Sequence, residues 1–219
     1  MTTVVAIYTG HGVVDALRAL IKEYLPDVRL YNIIDDSLIQ QVIQDGKVKE
    51  SVALRLMQHF KMAVDLGADY ILNTCSSVGE IASAARNIFE TPILKIDEPM
   101  AKQAVQNFQK IAVLATLPTT LMPTINLVKS QAQILGKSVT VIDGLAKGAY
   151  EAGKAKNMEK FETLILEAAV KVAEQADCIV LAQGTMAKME EKLKEETGIP
   201  VLGSPRLCVQ EMKAMLAGS

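Results

Sequence analysis

Histidine is almost missing from this chain: 219 residues carry only two, His11 and His59. Cysteine is scarce too, with three, and no Cys/His cluster has the spacing of a dedicated zinc site, so no metal is expected. An odd number of thiols without a disulfide-like framework suits a reducing cytosol. A basic stripe is also lacking. The 23 Lys and Arg are scattered among 25 Asp and Glu, for a net charge of −2, which argues against a nucleic-acid partner. No apolar run reaches membrane-spanning length. The opening MTTVVAIYTG has no basic region, signal-length apolar run or cleavage site. These absences lead to the expectation of a cytoplasmic protein with neither a nucleic-acid nor a membrane partner. Phosphate-binding patterns are missing as well. There is no GxxxxGK(S/T), and no GxGxxG follows the first apolar run, so no cofactor is expected.

Half of the residues are hydrophobic, enough for a substantial core. They fall in short buried-strand runs alternating with amphipathic segments of helix length, the pattern of an α/β fold. Strands are expected at residues 4–8, 28–34, 68–72 and 92–96, then at 111–115, 138–142, 177–181 and 200–202. Helices are expected at 13–24, 38–44, 48–66 and 81–89, and from near Pro99. Further helices should end near Leu135, follow Asp143-Gly144, and span 158–175, 186–195 and 206–216. Asp97 reads as the N-cap of the helix near Pro99, with Glu98 in its first turn.

The order of elements repeats. Thr9 and Thr116, each ending the first strand of a half, lie 107 residues apart. Asp69 and Asp177 lie 108 apart, as do Pro92 and Pro200. Three landmarks at a nearly constant offset argue for a duplicated unit. The expected architecture is two pseudo-symmetric doubly wound lobes, residues 1–97 and 98–205, each with a parallel sheet of about four strands. Residues 206–219 would form a helix packing back on the first lobe. In such sheets a ligand sits at the carboxyl ends of the strands, and the two lobes would face those ends across a shared cleft.

The stretch Asn73-Thr74-Cys75-Ser76-Ser77-Val78-Gly79-Glu80 follows one strand and leads into a helix. A thiol there meets free backbone N–H groups and a helix dipole, which bind anions and lower a cysteine pKa. Cys75 is therefore the candidate catalytic group. The other expected cleft loops are Thr9-Gly10-His11-Gly12, Thr116-Leu117-Pro118-Thr119-Thr120 and Gln183-Gly184-Thr185. Thr9, Gly10, Thr74, Ser76, Ser77, Thr116, Thr119, Thr120, Gln183, Gly184 and Thr185 would form a neutral, donor-rich cage for carboxylate oxygens. No Lys or Arg lies in these loops, so the expected ligand is a small carboxylate rather than a polyphosphate. His11 reads either as an acid/base or as a loop residue capping the first helix. Cys178 and Cys208 read as packing residues. Lys95 and Arg206, near the ends of last strands, are candidates for a second acidic group of the substrate.

The NTCSS motif at Cys75, the ATLPTT motif at 115–120 and the VLAQGTM motif at 180–186, together with the duplication, resemble the aspartate/glutamate/hydantoin racemase superfamily over nearly the whole chain. That resemblance implies cofactor-independent chemistry at a carbon next to a carboxylate, and a homodimer or higher homo-oligomer. It also implies one cysteine in each lobe, one removing a proton and the other returning it. Here the second-lobe position holds no thiol. The 108 offset aligns Cys75 with Gln183, and a C-T pattern aligns it with Gly184. The implied function is an isomerase (racemase, epimerase or cis–trans isomerase) using Cys75, with His11 as candidate second base. The alternatives are a single-cysteine decarboxylase of a malonate-like acid and a carboxylate-binding protein without turnover.

Overall fold

The computed structural model describes residues 1–217. The chain divides into two compact units: Met1–Pro99 together with the segment from Pro205 onward, and Met100–Ser204.

In the first unit, strands β1 (Thr3–Tyr8), β2 (Arg29–Ile34), β3 (Tyr70–Asn73) and β4 (Ile93–Lys95) form one sheet, order β2-β1-β3-β4. All its pairings are parallel. Every residue of β1 is buried, which is why TVVAIY reads as an unbroken apolar run rather than an alternating one. Successive side chains point to opposite faces. Val4, Ala6 and Tyr8 pack with helix α1 (Val14–Tyr24) through Val14, Leu17 and Ile21. Val5 and Ile7 pack with α2 (Asp36–Asp45), α3 (Glu50–Asp65) and α4 (Gly79–Ala85) through Leu38, Val42, Leu56, Phe60 and Ala82. Each fully buried large side chain in these clusters contributes about 1.5–3 kcal/mol by its removal from water. Helix α10 (Ser204–Ala217) joins the α1 cluster through Cys208, Val209 and Met212.

The second unit repeats the plan. Helix α5 (Glu98–Asn107) leads into β5 (Lys110–Ala115), α6 (Pro118–Ile134), β6 (Thr140–Leu145), α7 (Ala149–Lys154), α8 (Met158–Ala173), β7 (Cys178–Leu181), α9 (Glu190–Thr197) and β8 (Val201–Gly203). The sheet order is β6-β5-β7-β8, again parallel throughout. The duplication extends to single hydrogen bonds. Thr3 N–H donates to Asp69 Oδ2 at 2.7 Å, and its counterpart Lys110 N–H donates to Asp177 Oδ2 at 2.8 Å. The doubly wound two-lobe architecture read from the sequence is the one observed.

Two local expectations differ. Strand β6 runs on through Asp143 and Gly144, paired with Val113 and Leu114, where the strand was expected to end at 142 and Asp143-Gly144 to lead into a helix. A Cβ on Gly144 would lie 2.9 Å from the Val113 carbonyl oxygen, so glycine serves close strand approach. The segments after β3 and β7 open not as α-helix but as 3-10 turns, Ser76–Val78 and Gly184–Met189. The α-helices after them begin at Gly79 and Glu190.

Candidate functional site

In the first unit the carboxyl ends of β1 and β3 lie side by side, with Ile7 paired to Asn73. The chain beyond them is fastened by Thr74, whose N–H and hydroxyl both donate to the Ile7 carbonyl, at 3.1 and 2.9 Å. The Asn73 carboxamide donates to the Cys75 carbonyl at 2.9 Å. Cys75 itself, in extended conformation (φ −127°, ψ 117°), precedes the turn Ser76–Val78. Its sulfur receives hydrogen bonds from the Thr9 hydroxyl, the N–H groups of Ser77 and Val78, and the Ser77 hydroxyl. A thiolate would find four donors in that cradle.

Burial nevertheless pushes the thiol above its ordinary pKa, and the four donors offset only part of that effect. The sequence suggested a lowered value. Desolvation of the charged form reverses the sign, because the flanking Ser76, Ser77 and Val78 are all buried. Cys75 itself keeps intermediate exposure.

Thr9 and Thr74 are buried, and Gly10 follows Thr9 at the edge of this group, half-buried. Ser76 turns its hydroxyl toward the Asp97 carboxyl. Asp97 is 3% exposed, and its carboxyl is bonded by its own N–H as well. His11 stands apart. Its ring is 71% exposed, with Nε2 3.5 Å from Asp36 Oδ2, and α1 has no side-chain cap. The groups bonded to the Cys75 sulfur do not include His11.

In the second unit Thr116 and Gln183 meet at the ends of β5 and β7. Thr116 N–H donates to Gln183 Oε1 at 2.8 Å, and the Thr116 hydroxyl lies 3.0 Å from Oε1 and 2.8 Å from Nε2. Thr120 is buried, its carbonyl accepting from the Thr124 hydroxyl at 3.0 Å. The Thr119 hydroxyl oxygen is buried without a partner. Gly184 is half-buried and Thr185 exposed.

The two alignments of the missing thiol can now be told apart. Gln183 has φ −120° and ψ 128°, close to the values at Cys75, and likewise precedes a 3-10 turn. Leu181 pairs with Leu114 as Asn73 pairs with Ile7. Each residue two positions on, Cys75 or Gln183, bonds the threonine that follows the first strand of its unit. Gln183, not Gly184, is the counterpart of Cys75.

The sequence profile of the Asp/Glu/Hydantoin racemase family matches residues 3–212. The chain belongs to that family. Solved racemase structures share its fold. Glutamate racemase RacE1 from Bacillus anthracis superposes with a TM-score of 0.82 at 14% identity, covering 99% of this chain and 82% of that one. The Picrophilus torridus aspartate racemase gives 0.74 at 15%, covering 100% and 95%. Allantoin racemase from Klebsiella pneumoniae gives 0.70 at 16%, covering 99% and 88%. At such identities the likeness is one of fold. Among curated protein sequences none matches.

As a family member, this chain carries one crest with a cradled thiol and one with a clasped carboxamide. Sequence reasoning overlooked Asn73, 1% exposed, which braces the thiol's own peptide. The signal was a polar residue ending the otherwise apolar strand YILN. Lys95, expected near the end of a last strand, ends β4 and is 7% exposed. No group of three or more His, Cys, Asp or Glu among the described residues could hold a metal ion, and no helix among them is long and apolar enough to cross a membrane.

Proposed function

We propose that this racemase-family protein is a cofactor-independent isomerase acting next to the carboxylate of a small organic or amino acid, with Cys75 as its acid/base or nucleophile. The observation that carries this reading is the cradle at Cys75, four donors around one sulfur, set against a carboxamide at the equivalent Gln183.

The chemistry starts from the carbon next to the carboxylate. As a thiolate, Cys75 takes the α-proton, and the C–H electron pair moves into the carboxylate as an enediolate. Preorganised hydroxyl and amide donors are the groups that stabilise such developing charge; in the unit that carries Cys75 the ones proposed for the carboxylate oxygens are those of Thr9, Ser76 and Ser77. The thiol then returns the proton to carbon. A carboxamide donates and accepts hydrogen bonds but is neither an acid nor a base near neutral pH, so Gln183 orients rather than transfers. With one thiol, inversion requires the second proton from another acid. Cis–trans isomerisation requires only that the thiolate add to an alkene carbon, that the resulting single bond turn, and that the thiolate leave.

The test is incubation of candidate acids in D2O with wild type and Cys75→Ser, followed by NMR. Exchange at the α-carbon or a change of alkene geometry that needs Cys75 supports the isomerase. Release of carbon dioxide would identify a lyase instead, and full turnover by Cys75→Ser would sink the reading.

A further inference from the structure

We propose that Asp97 is a positioning residue for Cys75, acting through Ser76: its carboxyl anchors the turn Ser76–Val78, whose N–H groups hold the sulfur. The inference rests on Cys75 being the reacting group, but its test does not use turnover.

Asp97 lies between β4 and α5 and is 3% exposed; Ser76, its hydrogen-bond partner, is 7% exposed. The Asp97 Oδ1 atom is buried with no partner at all. A buried carboxyl that leaves one oxygen unsatisfied is costly. The carboxyl aims at the residue next to the thiol. The turn it grips has little internal support. Three residues long, it is closed by Val78 N–H to the Cys75 carbonyl at a long 3.4 Å and by Gly79 N–H to the Ser76 carbonyl. Where the Ser77 and Val78 amides point therefore depends on what holds Ser76 from outside. On the other side Asn73 holds the Cys75 carbonyl. Between them the two side chains fix both ends of the peptide that carries the sulfur. The charged or titratable groups around Asp97 are Lys95 on β4, Glu98 on α5 and Cys208 on α10. The 108 offset would place a counterpart of Asp97 at position 205, which is proline, so the duplication carries no second copy of this anchor.

The experiment is the pH profile of Cys75 alkylation by iodoacetamide in the full chain, read at the Cys75 peptide by mass spectrometry. The fully buried Cys178 and Cys208 serve as slow internal references. Loss of the amide donors from the thiolate should move the midpoint up by about one unit, which is a tenfold slower reaction at neutral pH. Asp97→Ala and Ser76→Ala should both show it. Asp97→Asn, which keeps an acceptor for the Ser76 hydroxyl, should stay near wild type. Folded Asp97→Ala and Ser76→Ala proteins with the wild-type profile would overturn the proposal. So would an Asp97→Asn profile displaced as far as that of Asp97→Ala, since charge rather than anchoring would then be responsible. If Asp97→Ala does not fold, Ser76→Ala decides alone. A displaced profile combined with full turnover by Cys75→Ser would leave the positioning role standing and remove the proposed function.

Discussion

Thr116 and Gln183 hold each other through both ends of the carboxamide, at 2.8–3.0 Å, in the place where Thr9 meets Cys75 in the other unit. The clasp satisfies a backbone N–H at the end of β5 as well as a side chain. Gln183→Ala removes the acceptor of both Thr116 groups. The expected cost is about 1–3 kcal/mol, measurable as a lower urea midpoint with an unchanged slope. Gln183→Cys should place a second thiol in the conformation of Cys75. In D2O the expected result is faster α-proton exchange and inversion than in wild type. A Gln183→Cys protein that folds and gains no inversion activity would show that the position alone does not make a second base.

Cys75→Ser keeps size and hydrogen bonding but replaces an acid with a far weaker one. Turnover is expected to fall by about 10²–10⁴-fold, the usual contribution of a positioned acid/base. Thermal unfolding should hardly move, which separates chemistry from folding.

Gly144→Ala should destabilise the second unit. Its Cβ would press on the Val113 carbonyl at 2.9 Å and on the Leu114 Cα at 3.4 Å, both main-chain atoms that cannot swing away. Overpacking of this kind costs about 1–3 kcal/mol. Chemical denaturation of the variant checks it.

Two buried or half-buried aspartates should tilt the stability profile in opposite directions. Burial raises Asp35, but the Ser37 and His59 hydrogen bonds and the Arg55 and His59 charges outweigh it and hold the carboxyl below its usual value. With a lowered folded-state pKa, Asp35 stabilises above the unfolded value of about 3.9, and that contribution is lost as pH falls through the folded pKa. Asp97 is the reverse. Burial raises it despite the Ser76 bond and the Lys95 charge. Its contribution is complete below the unfolded pKa and is lost as pH rises through the folded one. Denaturation midpoints between pH 3 and 8 should therefore fall less steeply on the acid side in Asp35→Asn. In Asp97→Asn the loss toward neutral pH should disappear.

Much of this molecule is legible in its sequence because parallel strands buried on both faces leave unbroken apolar runs, such as TVVAIY and KIAVLA. The repeat offsets of Thr9, Asp69 and Pro92 then carry one unit onto the other. What was not legible depends on contacts between distant residues. The 108 offset points to Gln183 and the C-T pattern to Gly184, and the choice between them comes from backbone angles and strand register. Asp-Gly at 143–144 reads as the lead into a helix, and strand pairing overrode it. Asp97 before a helix has the spelling of a cap, and only the fold brings Ser76 to it. The cysteine pKa depends on how much water is excluded from the sulfur, a quantity no motif encodes.

Helix α10 has a consequence for the order of folding. The second unit is one unbroken stretch, Met100–Ser204, while the first needs Cys208, Val209 and Met212 to complete the cluster around α1. During synthesis the carboxamide half can close on itself while the thiol half still lacks a wall. The crest that carries Cys75 is therefore expected to mature last, after the half that has no sulfur at its crest. A chain cut before Pro205 should yield a protease-resistant second unit beside a first unit that stays open to digestion.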